Sequence, residues 1–184
     1  VLRLKGGDVS LFSNVLDELQ VLKKNDISYE LIPGVSAAFG AAAYTGIPLT
    51  ARGHSRGVRF LTLYDLSTVK HAQWQDWAET DDTLVFYMSG QKLAELTQKL
   101  VRIGIDPEKG IAIVQQATTP YQKTTIRSFY DLNRKGLPDF EYVPTLIIIG
   151  NVVNLHKQYA WITEGNTAES YFDNHKNTFQ YLSL

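Results

Sequence analysis

Apolar positions along the chain switch between two periods. Phe12, Val15, Leu16, Leu19 and Leu22 recur at helical spacing, which predicts an amphipathic helix ending near Asn25. Residues 1–5 read as a strand running into Gly6, Gly7 and Asp8, and residues 29–32 as a second short strand closed by Pro33 and Gly34. Residues 37–44 are almost all small, which predicts a helix able to approach a neighbouring backbone closely, with Ser36 as its N-cap. Residues 46–55 read as a connector. Beyond it, residues 58–64, 84–88, 111–114, 124–126 and 146–149 are strand-like. Leu93, Leu96, Leu100 and Ile103 form another helical stripe, and Gly150 precedes a short helix. Strands alternating with helices indicate an α/β fold. A boundary near residues 51–56 divides it into a first α/β domain over 1–54 and a second over 55–160, followed by a polar tail over 161–184.

Composition narrows the classes. The chain has 184 residues, 44% hydrophobic and 20% charged, an ordinary globular balance. A net charge of -1 gives no global field favouring nucleic acid. Cysteine is absent, which excludes disulfides and thiolate nucleophiles and fits a cytoplasmic location. No apolar run reaches the length of a membrane span; residues 145–149 are strand-sized. The chain opens on Val1 inside a strand-like pattern, so further residues are expected upstream of it.

Four places carry candidate chemistry. Gly6, Gly7 and Asp8 follow a strand, where glycines admit close backbone approach and the acid can accept from ribose hydroxyls; a tight turn explains them equally simply. Pro33, Gly34, Val35, Ser36 and Ala37 join a strand to a helix N-terminus, whose free amides suit a carboxylate or ribose; an ordinary capped junction is the plain alternative. Met88, the sole methionine, ends an apolar strand and could pack on an adenine ring, or simply fill the core. Arg52, Arg56 and Arg59 surround His54 and could pair with substrate carboxylates, or be a solvated linker. The four histidines show no metal-ligand spacing, so no metal is expected.

Taken in order, these segments resemble the tetrapyrrole methylases, of the uroporphyrinogen-III C-methyltransferase type. The resemblance rests on residues 1–8, on residues 33–37, on residues 43–50 with Gly46, Ile47, Pro48, Leu49 and Thr50, on Phe86, Tyr87 and Met88, and on Ala117 to Pro120. It runs to about residue 158. It implies two α/β domains with an S-adenosylmethionine site in the cleft between them. Carried over by motif, Gly6, Gly7, Asp8, Leu11, Ser36, Ala37, Met88 and Ala117 would contact this donor or its product, S-adenosylhomocysteine. Arg52, Arg56 and Arg59 as a substrate rim are an inference from charge and do not come from the resemblance.

The implied reaction is in-line methyl transfer from the sulfonium to an electron-rich carbon of uroporphyrinogen III. Two rounds give precorrin-2, for sirohaem or cobalamin synthesis. Alignment and water exclusion would supply most of the rate. A homodimer, with no nucleic-acid or membrane partner, is also implied. Two features depart from the family. After Asp8 the family continues with proline, phenylalanine and then an arginine-glycine-glycine stretch, whereas here Val9, Ser10, Leu11, Phe12, Ser13 and Asn14 follow. The family's glycine-rich N-terminal strand, with its proposed proton acceptor and donor, has no counterpart, so no catalytic acid or base is assigned and residues 1–184 alone are expected not to turn over. Alternatives are a sibling methylase of a later corrinoid and a non-catalytic domain of the same fold.

Overall fold

The computed structural model describes residues 1–137 and 143–162; the tail expected over 161–184 lies outside them apart from Trp161 and Ile162. A five-stranded sheet organises the chain in the order β1-β2-β5-β3-β4, built from β1 (Val58–Thr62), β2 (Thr83–Tyr87), β3 (Gly110–Gln115), β4 (Lys123–Ser128) and β5 (Thr145–Ile149). β1 and β2 are parallel, while β5 runs antiparallel to both β2 and β3. Consequently β1, β2 and β3 all point the same way, and their carboxyl ends share one edge of the sheet.

The three central strands are apolar on both faces, as strands covered on both sides must be. Leu84, Phe86, Ile111, Ile113, Ile147 and Ile149 face one core. The alternate residues Val85, Ala112, Val114, Leu146 and Ile148 face the other, as the two-residue period of a strand requires. Helices α3 (His71–Glu79), α4 (Leu93–Ile103) and α5 (Phe129–Lys135) cover the first face. They contribute Trp74 and Trp77, then Leu93, Leu96 and Leu100, then Phe129 and Leu132. Helix α2 (Ala37–Thr45) packs Ala38 and Ala41 into the second face, together with Ile47, Leu49, Val152 and Val153. Its small side chains are what permit that approach.

Gly46 ends α2 in the left-handed region at φ 67, and a Cβ there would sit 2.2 Å from the Tyr159 carbonyl oxygen. The segment containing α6 (His156–Tyr159) is clasped to the same helix end. His156 Nδ1 lies 2.6 Å from the Thr45 carbonyl, and the Trp161 indole donates to the Ala43 carbonyl at 2.8 Å.

Four sequence expectations change. Residues 1–5 and 29–32 are in no strand, because no ladder partner joins them among the described residues. Helix α1 (Val15–Lys24) forms as expected and ends at Asn25, but Phe12 lies outside it. Helices α3 and α5 were not expected. Ser36 does precede α2 with extended backbone, yet makes no capping bond to it.

Candidate functional site

The loops that follow the expected motif residues meet at the shared carboxyl edge of β1, β2 and β3. On one side, Gly7 and Gly34 press together: a Cβ on Gly34 would fall 2.3 Å from the Gly7 carbonyl oxygen. Gly7 itself turns at φ 72 against Ser36, so neither position accepts a larger residue without movement. Asp8 stitches this junction. Its amide donates to Ser36 Oγ at 3.2 Å, and its carboxylate accepts from the Gly34 amide at 2.9 Å and the Ser10 amide at 2.8 Å. The Ser10 hydroxyl also bonds it, and together the Ser10 hydroxyl, the Gly34 amide and the Ser10 amide hold the carboxyl below its ordinary range. Leu11 closes the turn through its amide to the Asp8 carbonyl at 3.2 Å. Gly6 lies in open space, where a Cβ would meet nothing.

On the other side, β2 ends at Tyr87 and Met88. The Tyr87 hydroxyl accepts the Ala38 amide at 3.0 Å, which joins the end of β2 to the first turn of α2, beside Ser36 and Ala37. Burial raises the Tyr87 pKa, so its phenol stays neutral well into the alkaline range. Met88 turns at φ 53 and is exposed; the Tyr64 hydroxyl lies 3.0 Å from its sulfur. Gln116 and Thr118, on either side of Ala117, also have positive φ, at 48 and 68. Thr118 reaches α2, since a Cβ on Gly40 would lie 2.9 Å from its methyl. Left-handed backbone at non-glycine residues costs energy and gathers where a fold holds a loop for a purpose. Here three such residues follow β2 and β3, the strands on either side of β5, at one edge.

Gly7, Asp8, Leu11 and Ser36 are joined by direct contacts, Ala37 follows Ser36, and Met88 and Ala117 join them only as chain neighbours of Tyr87 and Thr118, while Gly6 lies in open space. Arg52, Arg56 and Arg59 are not part of this set. They lie near the start of β1, at the opposite end of the sheet from Met88, about 13 Å of strand away. Arg59 is moreover held by Asp82 at 2.8 Å, by Asp76 and by Thr80 at 2.9 Å, which engages every nitrogen of its guanidinium. Arg52 is exposed in the turn closed by the Ala51–Ser55 bridge, and Arg56 is exposed directly after it. The substrate rim drawn from their charge thus lies away from the edge that carries Met88. Charge density along the sequence indicated a patch, but strand direction put it at the far edge. Tyr87, Phe12 and Thr118 were not expected as site residues, although Tyr87 and Thr118 lie within segments that carry the resemblance.

Among the described residues, no group of three or more histidine, aspartate or glutamate side chains could hold a metal, and no helix is long and apolar enough to cross a membrane.

The fold is that of an α/β domain in which β1, β2 and β3 share a carboxyl edge, the edge at which open α/β sheets generally receive ligands. A family model described as Tetrapyrrole (Corrin/Porphyrin) Methylases matches residues 1–133, and the chain belongs to that family. It is similar to a siroheme synthase of Psychrobacter arcticus, 41% identical over 165 residues, covering 88% of this chain and 29% of that protein. A siroheme synthase of Buchnera aphidicola is 38% identical over 184 residues, covering 100% of this chain and 38% of that protein. The chain thus spans about a third of the length of these relatives. A solved structure of a uroporphyrin-III C-methyltransferase from Thermus thermophilus, complexed with S-adenosylhomocysteine, aligns with a TM-score of 0.67. Its sequence identity is 26%, and the alignment covers 84% of this chain and 67% of that one.

Proposed function

We propose that this chain carries the S-adenosylmethionine site of a uroporphyrinogen-III C-methyltransferase, and that the protein containing it converts uroporphyrinogen III to precorrin-2. The observation that carries the reading is the meeting of the motif residues at one sheet edge, with Tyr87 and Thr118 bringing the β2 and β3 loops onto α2. Membership of the tetrapyrrole methylases and the S-adenosylhomocysteine bound in the Thermus relative support it. Residues 1–54 and 55–160 would form the two walls of the cleft.

The residues fit such a donor. The Gly7–Gly34 junction leaves no room for side chains, so backbone lines that wall. Of the first amides of α2, that of Ala38 is taken by Tyr87 and that of Phe39 by the Ser36 carbonyl, so it is the Ala37 amide, beside Ser36, that faces a carboxylate or ribose oxygen in this reading. Met88 offers a polarizable side chain from the opposite wall. When bound, the donor supplies an activated methyl group. The chain's own work is to fix the donor, orient it toward the acceptor carbon and exclude water, an arrangement that can lower a barrier by roughly 7–11 kcal/mol. A homodimer and a cytoplasmic location fit the family resemblance and the cysteine-free chain.

The test is calorimetric titration of the full-length protein with S-adenosylhomocysteine, followed by incubation with uroporphyrinogen III and S-adenosylmethionine and mass analysis of the product. Saturable binding and a product heavier by two methyl groups are expected. Absence of both would reject the reading. Methylation of a later corrinoid in place of uroporphyrinogen III would move the protein to a sibling reaction.

A further inference from the structure

We infer that Tyr87 is a positioning residue for the donor site, acting by capping α2 from across the seam between the two walls. The inference rests on the methyl-donor reading and deepens it.

Ser36 occupies the N-cap position of α2, where a serine hydroxyl ordinarily accepts an amide from the first helical turn. Here it does not, because Ser36 Oγ accepts the Asp8 amide at 3.2 Å. The helix still has amides to satisfy, and that of Ala38, in a fully buried residue, is taken by the Tyr87 hydroxyl at 3.0 Å. The two bonds form a relay. Asp8 is tied to Ser36, Ser36 opens α2, and α2 is tied to Tyr87 at the end of β2, one residue before Met88. Removal of either bond frees the backbone that lines the donor pocket.

The ring of Tyr87 adds an independent constraint. It lies 5.1 Å from the Phe12 ring and 6.2 Å from the Phe60 ring. Phe12 stands in the left-handed region at φ 54, unusual for a bulky residue, and its loop is folded on itself by the Ser13 hydroxyl to the Val9 carbonyl. That loop begins with Asp8. Tyr87 therefore meets both elements of the first wall, through its hydroxyl on α2 and through its ring on the loop after Asp8. No other described side chain is seen to do both.

The experiment compares the full-length protein with its Tyr87→Phe variant, which keeps the ring and removes the acceptor. Three readouts are taken: amide exchange at Ala38, the dissociation constant for S-adenosylhomocysteine, and the separate KM and kcat for methyl transfer. Exchange at Ala38 should quicken. Donor dissociation constant and donor KM should rise about fivefold, within the two- to tenfold range of one neutral hydrogen bond, while kcat at saturating donor stays within about twofold. A core variant, Trp74→Phe, serves as the control for general destabilisation and should lower Tm without changing donor affinity. Faster Ala38 exchange with unchanged donor affinity would overturn the inference, and so would an equal loss of affinity in Trp74→Phe. If the unmodified protein binds no S-adenosylhomocysteine, the methyl-donor reading itself fails and this role falls with it.

Discussion

Residues 1–35 and residues 36–162 are built on different principles. Among the first 35 residues not one is buried, and α1 packs none of its side chains away from solvent. Val1, Leu2, Leu4, Leu16, Val21, Ile27, Leu31 and Ile32 are all exposed. What holds this region is mainly polar: Lys5 and Arg3 to Glu18 at 2.9 and 3.2 Å and the Asp8 junction to Gly34 and Ser36, with one ring contact from Phe12 to Tyr87. The second region has two apolar cores, one on each face of a sheet whose central strands are fully covered. Apolar burial drives folding, and surface ion pairs add little. Within the described residues, the Gly7–Asp8 loop is set against α2 by the seam with Gly34 and Ser36. The first wall of the proposed site has the geometry of the second region's edge imposed on it.

Native-state hydrogen exchange gives the widest separation. Amides of β2, β3 and β5 should exchange only through global unfolding, whose free energy in such domains is about 5–15 kcal/mol, while residues 1–35 exchange through openings near the bottom of that scale. Equal protection in both regions would abolish the contrast. Truncation mutants come next. Phe86→Ala should cost about 3–5 kcal/mol by denaturant melt, and Leu16→Ala within about 0.5 kcal/mol. A comparable loss for Leu16 would mean that α1 has a packing partner in solution.

Gly34→Ala tests the seam itself. Its Cβ would meet the Gly7 backbone, which cannot give way as a flexible side chain does, so a local cost of about 1–3 kcal/mol is expected. S-adenosylhomocysteine binding should fall sharply while the melting of the second region hardly moves. The smallest effect is pH-dependent. The Ser10 hydroxyl and the Gly34 and Ser10 amides lower the Asp8 pKa from its ordinary 3.8. A carboxyl depressed in the folded state contributes stability above the ordinary value and loses it as pH falls through the folded one. Acidification below about pH 4 should therefore loosen residues 6–12 before it unfolds the sheet. Amide chemical shifts of Ser10 and Gly34 would follow the change, and shifts that stay flat to full unfolding would refute it.

Much of the second region was legible because its signals are strong. Continuous apolar runs such as Ile147, Ile148 and Ile149 mark doubly covered strands, and the stripe from Leu93 to Ile103 marks α4. α3 escaped notice although Trp74, Trp77 and Ala78 follow helical spacing. Residues 1–5 and 29–32 carry strand composition, but composition cannot supply a ladder partner. At the site, the glycine and acid motifs were readable as local chemistry. The Tyr87–Ala38 bond was not, because it joins residues 49 apart in sequence through an edge that exists only once the sheet forms. The place of the arginines was equally hidden: neighbours in sequence, they lie at the start of β1, at the other end of the sheet from Met88.

Gly46 belongs to one of the stretches that carry the family resemblance, yet a Cβ there would meet Tyr159 and Ala160 and no proposed ligand residue. A side chain there would strike the Tyr159 backbone and pry residues 156–161 from the end of α2. The motif is thus a hinge pin of the architecture. This end of α2 is closed by a backbone contact that only a glycine admits.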